Sequence, residues 1–408
     1  MMETATHVLV VGWRGPSVRA LIDLGASVSV IVSSTKAASA REMPGVHSVH
    51  VASDSSSVES CLAVLARDRV PISSFDAVCS GSEFSIVTAA LLAQLGGAAG
   101  IPVDSAIGLR DKYVQKSRVR TAGVNVADTS LVESTRDISR PRDEPFVVKP
   151  LDGAGATDTV VLRSDSDAEA FAAMVDPAGG PWLLESFVHG WEVQVDGIVR
   201  DGELLHLTVS RYLHNVIEVH DGALVGAIAL HPDRHQELYR DVSAMVHASL
   251  SAIPHRDGVF HLEAFIDDDR VTFSECAGRV SGGMLDRTLD RLHGIDIHDA
   301  WARAAMGLPP RLVAAAPTRS STCGDLYLSP PAGVIRSMPS RDELLTWPGV
   351  VDCRVDVAPG SIAPDQLSAS YLRAATVLVE GADENIVEQL MRDVAARFVT
   401  ATVTDPLP

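Results

Sequence analysis

The residues best placed to do chemistry begin at a strand end. Phe146-Val147-Val148-Lys149 carries an ammonium to the edge of a small-residue loop, Pro150-Leu151-Asp152-Gly153-Ala154-Gly155-Ala156-Thr157. Gly and Ala let backbone N–H groups approach phosphate oxygens closely, and an ammonium neutralises their charge. The lysine precedes the glycines, so this is not P-loop spacing, and an ordinary hairpin ending in a lysine fits equally well. Downstream, Leu183-Leu184-Glu185-Ser186-Phe187-Val188-His189-Gly190-Trp191-Glu192 sets two carboxylates seven apart around a strand, a kink and a second strand. Extended backbone beside an apolar pocket can hydrogen-bond an adenine edge, and a carboxylate a few residues on can accept from ribose hydroxyls. Taken alone, such acids are more often solvated at a strand end.

A third group sits on a hairpin. His261-Leu262-Glu263-Ala264-Phe265 and Phe273-Ser274-Glu275-Cys276-Ala277-Gly278-Arg279 flank Asp267-Asp268-Asp269-Arg270. A loop over 268–270 would place Glu263 directly opposite Glu275, both on one face with His261. Facing carboxylates repel unless a proton, a cation or a metal lies between them. Oxygen ligands near a phosphate point to Mg²⁺. The three consecutive aspartates are expected to be solvated turn residues, and Cys276 a packed one.

The elements that position these groups begin with β-α-β alternation. Val8–Val11, Val28–Val32 and Phe75–Cys79 read as strands, with helices near Ser17–Leu24 and 86–95, hence a parallel sheet covered by helices. The turn Gly12-Trp13-Arg14-Gly15 offers G-x-x-G rather than G-x-G-x-x-G. The second strand ends in Ser33-Ser34, where a dinucleotide site needs an acidic residue, so nicotinamide binding is weakly supported. A polar helix follows with Arg110, Lys112, Lys116 and Arg118, then a polar loop over 133–145. Residues 182–230 and 257–276 read as strands with hairpin turns at Asp201-Gly202 and Asp221-Gly222. A last amphipathic helix aligns Val387, Leu390, Met391, Val394 and Phe398.

The chain has 408 residues, enough for more than one domain, and carries 34 basic against 53 acidic residues. A net charge of −19 argues against nucleic-acid binding, which needs clustered Lys and Arg. Only four lysines occur, Lys36, Lys112, Lys116 and Lys149, so a lysine inside a motif carries more information than usual. Five cysteines without a C-x-x-C pair argue against a disulfide framework or structural zinc, and no apolar run approaches 18 residues. A cytoplasmic protein without a membrane span is the expectation.

The order of these motifs resembles the ATP-grasp superfamily of ATP-dependent carboxylate–amine (or carboxylate–thiol) ligases. The helix lysine is matched by Lys112 after Asp111, the lysine before the Gly-rich loop by Lys149, and the adenine hinge by Glu185, Val188 and Glu192. The closing pair is matched by Glu263, then Glu275 and Arg279. The usual third metal ligand, Asn, is Ala277 here. The motifs cover about residues 105–285, and the tail is similar to that of L-amino-acid ligases.

The resemblance implies an α/β and α+β chain in four parts. These are an N-terminal parallel-sheet (pre-ATP-grasp) domain over 1–107, a small lobe or lid over 108–182, a large lobe with the metal site over 183–310, and a C-terminal α+β subdomain over 311–408. It implies ATP with its adenine at Ser186 and Val188, phosphates on Lys112 and Lys149, and a covering loop that includes Gly153, Gly155, Ala156 and Thr157. It places Mg²⁺, with Mn²⁺ as a substitute, on Glu263 and Glu275, and a substrate carboxylate and its anionic intermediate on Arg279. The products are ADP and phosphate. The acid and amine are small molecules, an amino acid by the tail resemblance; His261, Arg211, His214 and Arg287 are candidates for lining their pocket, and a homodimer is left open. The competing expectations are a nicotinamide-dependent oxidoreductase and an inactive ATP-binding regulator, the latter motivated by Ala277.

Overall fold

The computed structural model describes residues 5–138, 144–175, 180–268, 270–311 and 321–407. In the N-terminal part the apolar runs His7–Val11 and Ser27–Val32 are buried on both faces, as a parallel sheet requires. Their sheet has the order Val46–Val51, Ser27–Val32, His7–Val11, Ala77–Cys79, all parallel. Val8, Val10, Val28 and Val30 pack on one side and Leu9, Val11 and Ile31 on the other. The fourth strand is shorter than its apolar run, with Phe75 packed outside it, and the helices span Gly15–Asp23 and Ile86–Gly96. Gly12 has φ +84°, and a Cβ there would lie 2.9 Å from Ser82 Cβ. Close approach of the two strand-end turns accounts for this glycine.

The next unit begins with the helix Lys112–Thr121, whose N-cap Asp111 accepts from the Val114 N–H. Lys112 and Lys116, four apart, share one helix face. An antiparallel sheet follows in the order Thr129–Val132, Trp182–Ser186, Phe146–Pro150, Val160–Leu162. It is backed by the helix Asp165–Met174, whose Phe171 stacks edge-on against Trp182. Within the expected loop over 133–145, Thr135–Asp137 forms a single 3₁₀ turn; residues 139–143 lie outside the described ones.

An eight-stranded antiparallel sheet dominates the rest of the chain, beside a two-stranded one of Val334–Ser337 and Val403–Asp405. Its order is Arg270–Ala277, Gly258–Asp267, Trp191–Arg200, Glu203–Tyr212, Gly226–Ala229, Thr322–Leu328, Ala375–Gly381, Val350–Val355. Asp201-Gly202 is the two-residue hairpin turn expected, with φ +54° and +83°. Asp221-Gly222 is not a hairpin: it ends the 3₁₀ helix Val216–Asp221, with Gly222 as its left-handed cap. The dipeptide suits either role because both need a positive φ. The closing helix Glu384–Ala401 buries Val387, Met391, Val394 and Phe398, with Leu390 half-buried beside them.

Candidate active site

The two antiparallel sheets face each other across a cavity of about 270 Å³. One end is apolar, lined by Val147, Phe187, Val188, Ile217 and Phe265, with backbone of the kink Ser186–Val188 alongside. The other end gathers Lys112, Lys149, Glu263, Glu275, Arg279 and His261.

Glu263 lies opposite Glu275, but not through the loop expected. Asp267 pairs with Arg270, a tighter turn that would by itself set Glu263 against Ser274. A bulge between Ala264↔Phe273 and Glu263↔Glu275 absorbs one residue at Ser274 and restores the facing pair. Arg270 is therefore a strand residue, and of the three aspartates Asp269 lies outside the described residues. The same face carries His261 opposite Ala277.

Each acid of this polar end has a partner. Glu275 meets Lys112 Nζ at 3.1 Å, and that ammonium also donates to Gly153 O at 2.7 Å. Burial disfavours the charge of Glu275, yet the pull of Lys112 and Lys149 holds its carboxyl well below the usual range. Glu263 accepts from Tyr212 OH at 2.8 Å and lies 3.6 Å from His261 Nε2. His261 Nδ1 donates to Asp196 at 2.9 Å; burial opposes the imidazolium, and Asp196 overcomes it, raising His261 to about 9.

Glu185 lines the cavity as well. Its carboxylate is gripped between Lys116 and Lys149, each ammonium 3.0 Å away, so it holds lysines in place. The fully buried Lys116 completes this clamp and was not singled out among the functional residues; its i,i+4 spacing from Lys112 was the available signal. Glu192 also lines the cavity, with no lysine on it and its carboxylate fixed by the Val216 N–H at 2.7 Å. Burial and the nearby charge of Glu263 push its carboxyl up to about 8.

The small-residue loop closes over the cavity. Gly153, Gly155 and Ala156 line it, whereas Thr157 does not, and Thr159 takes that position. Ser370 N–H donates to Gly155 O at 3.0 Å, and His220 Nε2 lies 3.1 Å from Ala156 O. Gly155 has φ +61°, and a Cβ there would strike the Tyr371 ring at 2.7 Å. The loop is thus docked on the C-terminal segment.

Of the four pocket-lining candidates, only His261 reaches the cavity. Arg211 points to the opposite sheet face and ion-pairs with Glu388 on the last helix, while its neighbour Tyr212 faces inward. His214 sits beside Glu218, and Arg287 is exposed near Asp286 and Asp352. Arg279 lines the cavity, and Glu83 from the N-terminal part takes its Nε and Nη2 at 2.8 and 2.7 Å. Gln194, Tyr212, Asn215, Asp325 and Tyr327 are among the lining residues that sequence reasoning missed. Arg14 of the G-x-x-G turn donates to Ser281 O.

A two-sheet nucleotide cleft with lysines, facing acids and an arginine defines an ATP-grasp core, and comparison with known proteins agrees. The model of the ATP-grasp domain matches residues 109–281, and that of the L-amino acid ligase C-terminal domain 2 matches residues 326–402. A curated L-arginine-specific L-amino acid ligase of Bacillus subtilis is 22% identical over 320 residues, covering 75% of this chain and 76% of that one. The crystal structure of an L-amino acid ligase from Bacillus licheniformis superposes with a TM-score of 0.79 at 16% identity, covering 99% and 100%. An N5-carboxyaminoimidazole ribonucleotide synthetase from Thermus thermophilus gives 0.67 at 19%, covering 97% and 98%. Residues 109–281 thus match an ATP-grasp domain, and the whole chain has the fold of an L-amino acid ligase structure. Its tail carries the C-terminal domain of the L-amino acid ligases. Among the described residues no helix is long and apolar enough to cross a membrane.

Proposed function

We propose that this ATP-dependent ligase activates the carboxylate of an amino acid as an acyl phosphate and joins it to an amine. The observation that supports this most is the division of one cavity. An apolar end beside the Val188 backbone suits adenine, and three of the chain's four lysines stand beside facing acids at the other end. In this reading Ser186–Val188 and Glu192 hold the nucleoside. Lys112 and Lys149 exchange their carboxylate contacts for phosphate oxygens, Lys149 remaining oriented by Glu185. The docked Gly153–Ala156 segment covers the phosphates and keeps water from the reacting centre.

Facing Glu263 and Glu275, with oxygen donors only, fit Mg²⁺ better than a softer ion. Mg²⁺ bound there supplies charge neutralisation for the β- and γ-phosphates. Ala277 offers no donor, and water readily completes such a sphere. Arg279 keeps one guanidinium edge on Glu83 and presents the other to the substrate carboxylate. A carboxylate oxygen attacks the γ-phosphorus, ADP leaves, and the amine nitrogen then displaces phosphate from the carbonyl and loses a proton. Amino-acid-dependent release of ADP from ATP and Mg²⁺ tests the reading. Release of AMP and pyrophosphate, or ADP release independent of any carboxylate, overturns it.

A further inference from the structure

The charges around the cavity are matched in pairs, apart from two buried acids: Glu192, held by the Val216 N–H beside the apolar residues, and Asp325. Glu185 meets Lys116 and Lys149, Glu275 meets Lys112, Asp196 meets His261, and Glu83 meets Arg279. Asp325 has no such partner. It lies on Thr322–Leu328, lines the cavity with only 8% of its surface exposed, and has no cationic side chain within 4 Å among the described residues. Its Oδ2 accepts from the Met284 N–H at 3.1 Å. Arg373, whose charge it feels, is engaged elsewhere: it stacks on Tyr327 at 4.3 Å, donates to Thr376 at 2.8 Å and pairs with Asp356 at 3.2 Å.

The backbone is shaped around this carboxylate. Gly283 has φ +64°, and a Cβ there would fall 1.9 Å from Asp325 Oδ2. Ser281 and Gly282 of the same turn line the cavity and follow directly on Arg279. Asp325 therefore faces the same cavity as the arginine, two residues from Tyr327 on the same strand face. Burial pushes its carboxyl up to about 6, the mark of an acid lacking a counter-charge. Such a group is favourable in a binding site when the ligand brings the missing cation.

Resting on the ligase reading, we infer that Asp325 binds a positively charged nitrogen of the substrate acid, so that an acid is selected for carrying an ammonium or guanidinium group as well as a carboxylate. The cation has two sources, the α-ammonium or a basic side chain, and matched acids separate them. ADP release is measured with hydroxylamine as the common amine. One arm compares L-leucine with 4-methylpentanoate, the other Nα-acetyl-L-arginine with Nα-acetyl-L-norleucine.

Wild type is expected to favour the cationic member of at least one pair by roughly 10- to 100-fold in kcat/KM, the span of a charge-assisted contact. Asp325→Asn, which keeps an acceptor for the Met284 N–H, is expected to reduce that preference to within about threefold and leave the Kd for ATP unchanged. Collapse in the leucine pair assigns the α-ammonium, and collapse in the arginine pair the side chain. Asp325→Ser is the second uncharged variant should the Asn form lose ATP binding. A preference absent from both pairs in wild type, or retained in the uncharged variants, overturns the assignment of Asp325 while ADP release upholds the ligase reading. ATP binding without ADP release on any acid overturns both.

Discussion

Replacing Glu185 by Gln separates its charge from its shape, because the amide keeps the volume and a carbonyl acceptor. Its two oxygens each lie 3.0 Å from a buried ammonium, Lys116 and Lys149. Burial brings Lys116 down to about 8 from an ordinary 10.5, even with the pull of Glu185. At about 1.4 kcal/mol per pH unit, this lysine opposes folding by about 3 kcal/mol at neutral pH. The opposition is complete below pH 8, where the lysine is charged in both states. It fades as pH rises through 8 towards 10.5, because the unfolded chain then binds the extra proton. Glu185→Gln leaves two buried ammonium groups facing each other, and orphaned buried charges typically cost ~3–5 kcal/mol. Both lysines then titrate lower, so the variant regains stability with rising pH more steeply than wild type. Urea melts at pH 7 and pH 9.5 read this: the deficit at the higher pH is expected to be about half or less of that at pH 7. Saturating ATP should raise the variant's midpoint more than that of wild type, since phosphates supply the lost charge. A deficit that is absent at pH 7, or equal at both pH values, refutes the clamp.

Lys149→Ala is expected to raise the KM for ATP and slow phosphoryl transfer, a combined loss of about 1.5–3 kcal/mol. Unchanged kinetics in the folded variant would remove Lys149 from the phosphate site. Glu275→Gln should nearly abolish ADP release even at saturating Mg²⁺, whereas near-normal turnover there would return the hairpin to two acids on a sheet. Glu83→Gln should loosen Arg279 and lower kcat by roughly 10-fold or more with the Kd for ATP unchanged; a parallel fall in ATP affinity would mean the change acts on the fold.

Much of this site was legible because its motifs are local. A lysine before a small-residue loop and two acids on one hairpin need only a few residues of sequence to be seen. What escaped has two physical causes. Strand parity decides which of two adjacent residues faces a cavity, and choosing Arg211 over Tyr212 missed by one position, which in a strand is the whole difference between faces. Register is just as sensitive: the turn is one residue tighter than the one read from 268–270, and the bulge at Ser274 cancels the difference. The facing pair was therefore anticipated through a loop that does not form.

The second cause is distance along the chain. Glu83 reaches Arg279 across 196 positions, and Tyr212 reaches Glu263 across 51, from parts of the chain whose sequence patterns describe other elements. No spacing rule links them, because the fold alone brings them together. Charge bookkeeping across the finished cavity recovers what spacing cannot. Once the lysines, Arg279 and His261 are matched to their acids, Asp325 and Glu192 are left facing the cavity without a cation. The strand neighbours of Asp325, Gly324 and Leu326, would not have marked it, since an acid in a buried strand reads as an anomaly until the opposite wall is known. The same reasoning separates Glu185 from Glu192. Both stand in one hinge motif, yet the first is neutralised by protein and the second is left at about 8 beside the apolar end, where a ligand hydroxyl can meet it. A motif names the acids, and only the surrounding charges decide which one is free to meet a ligand.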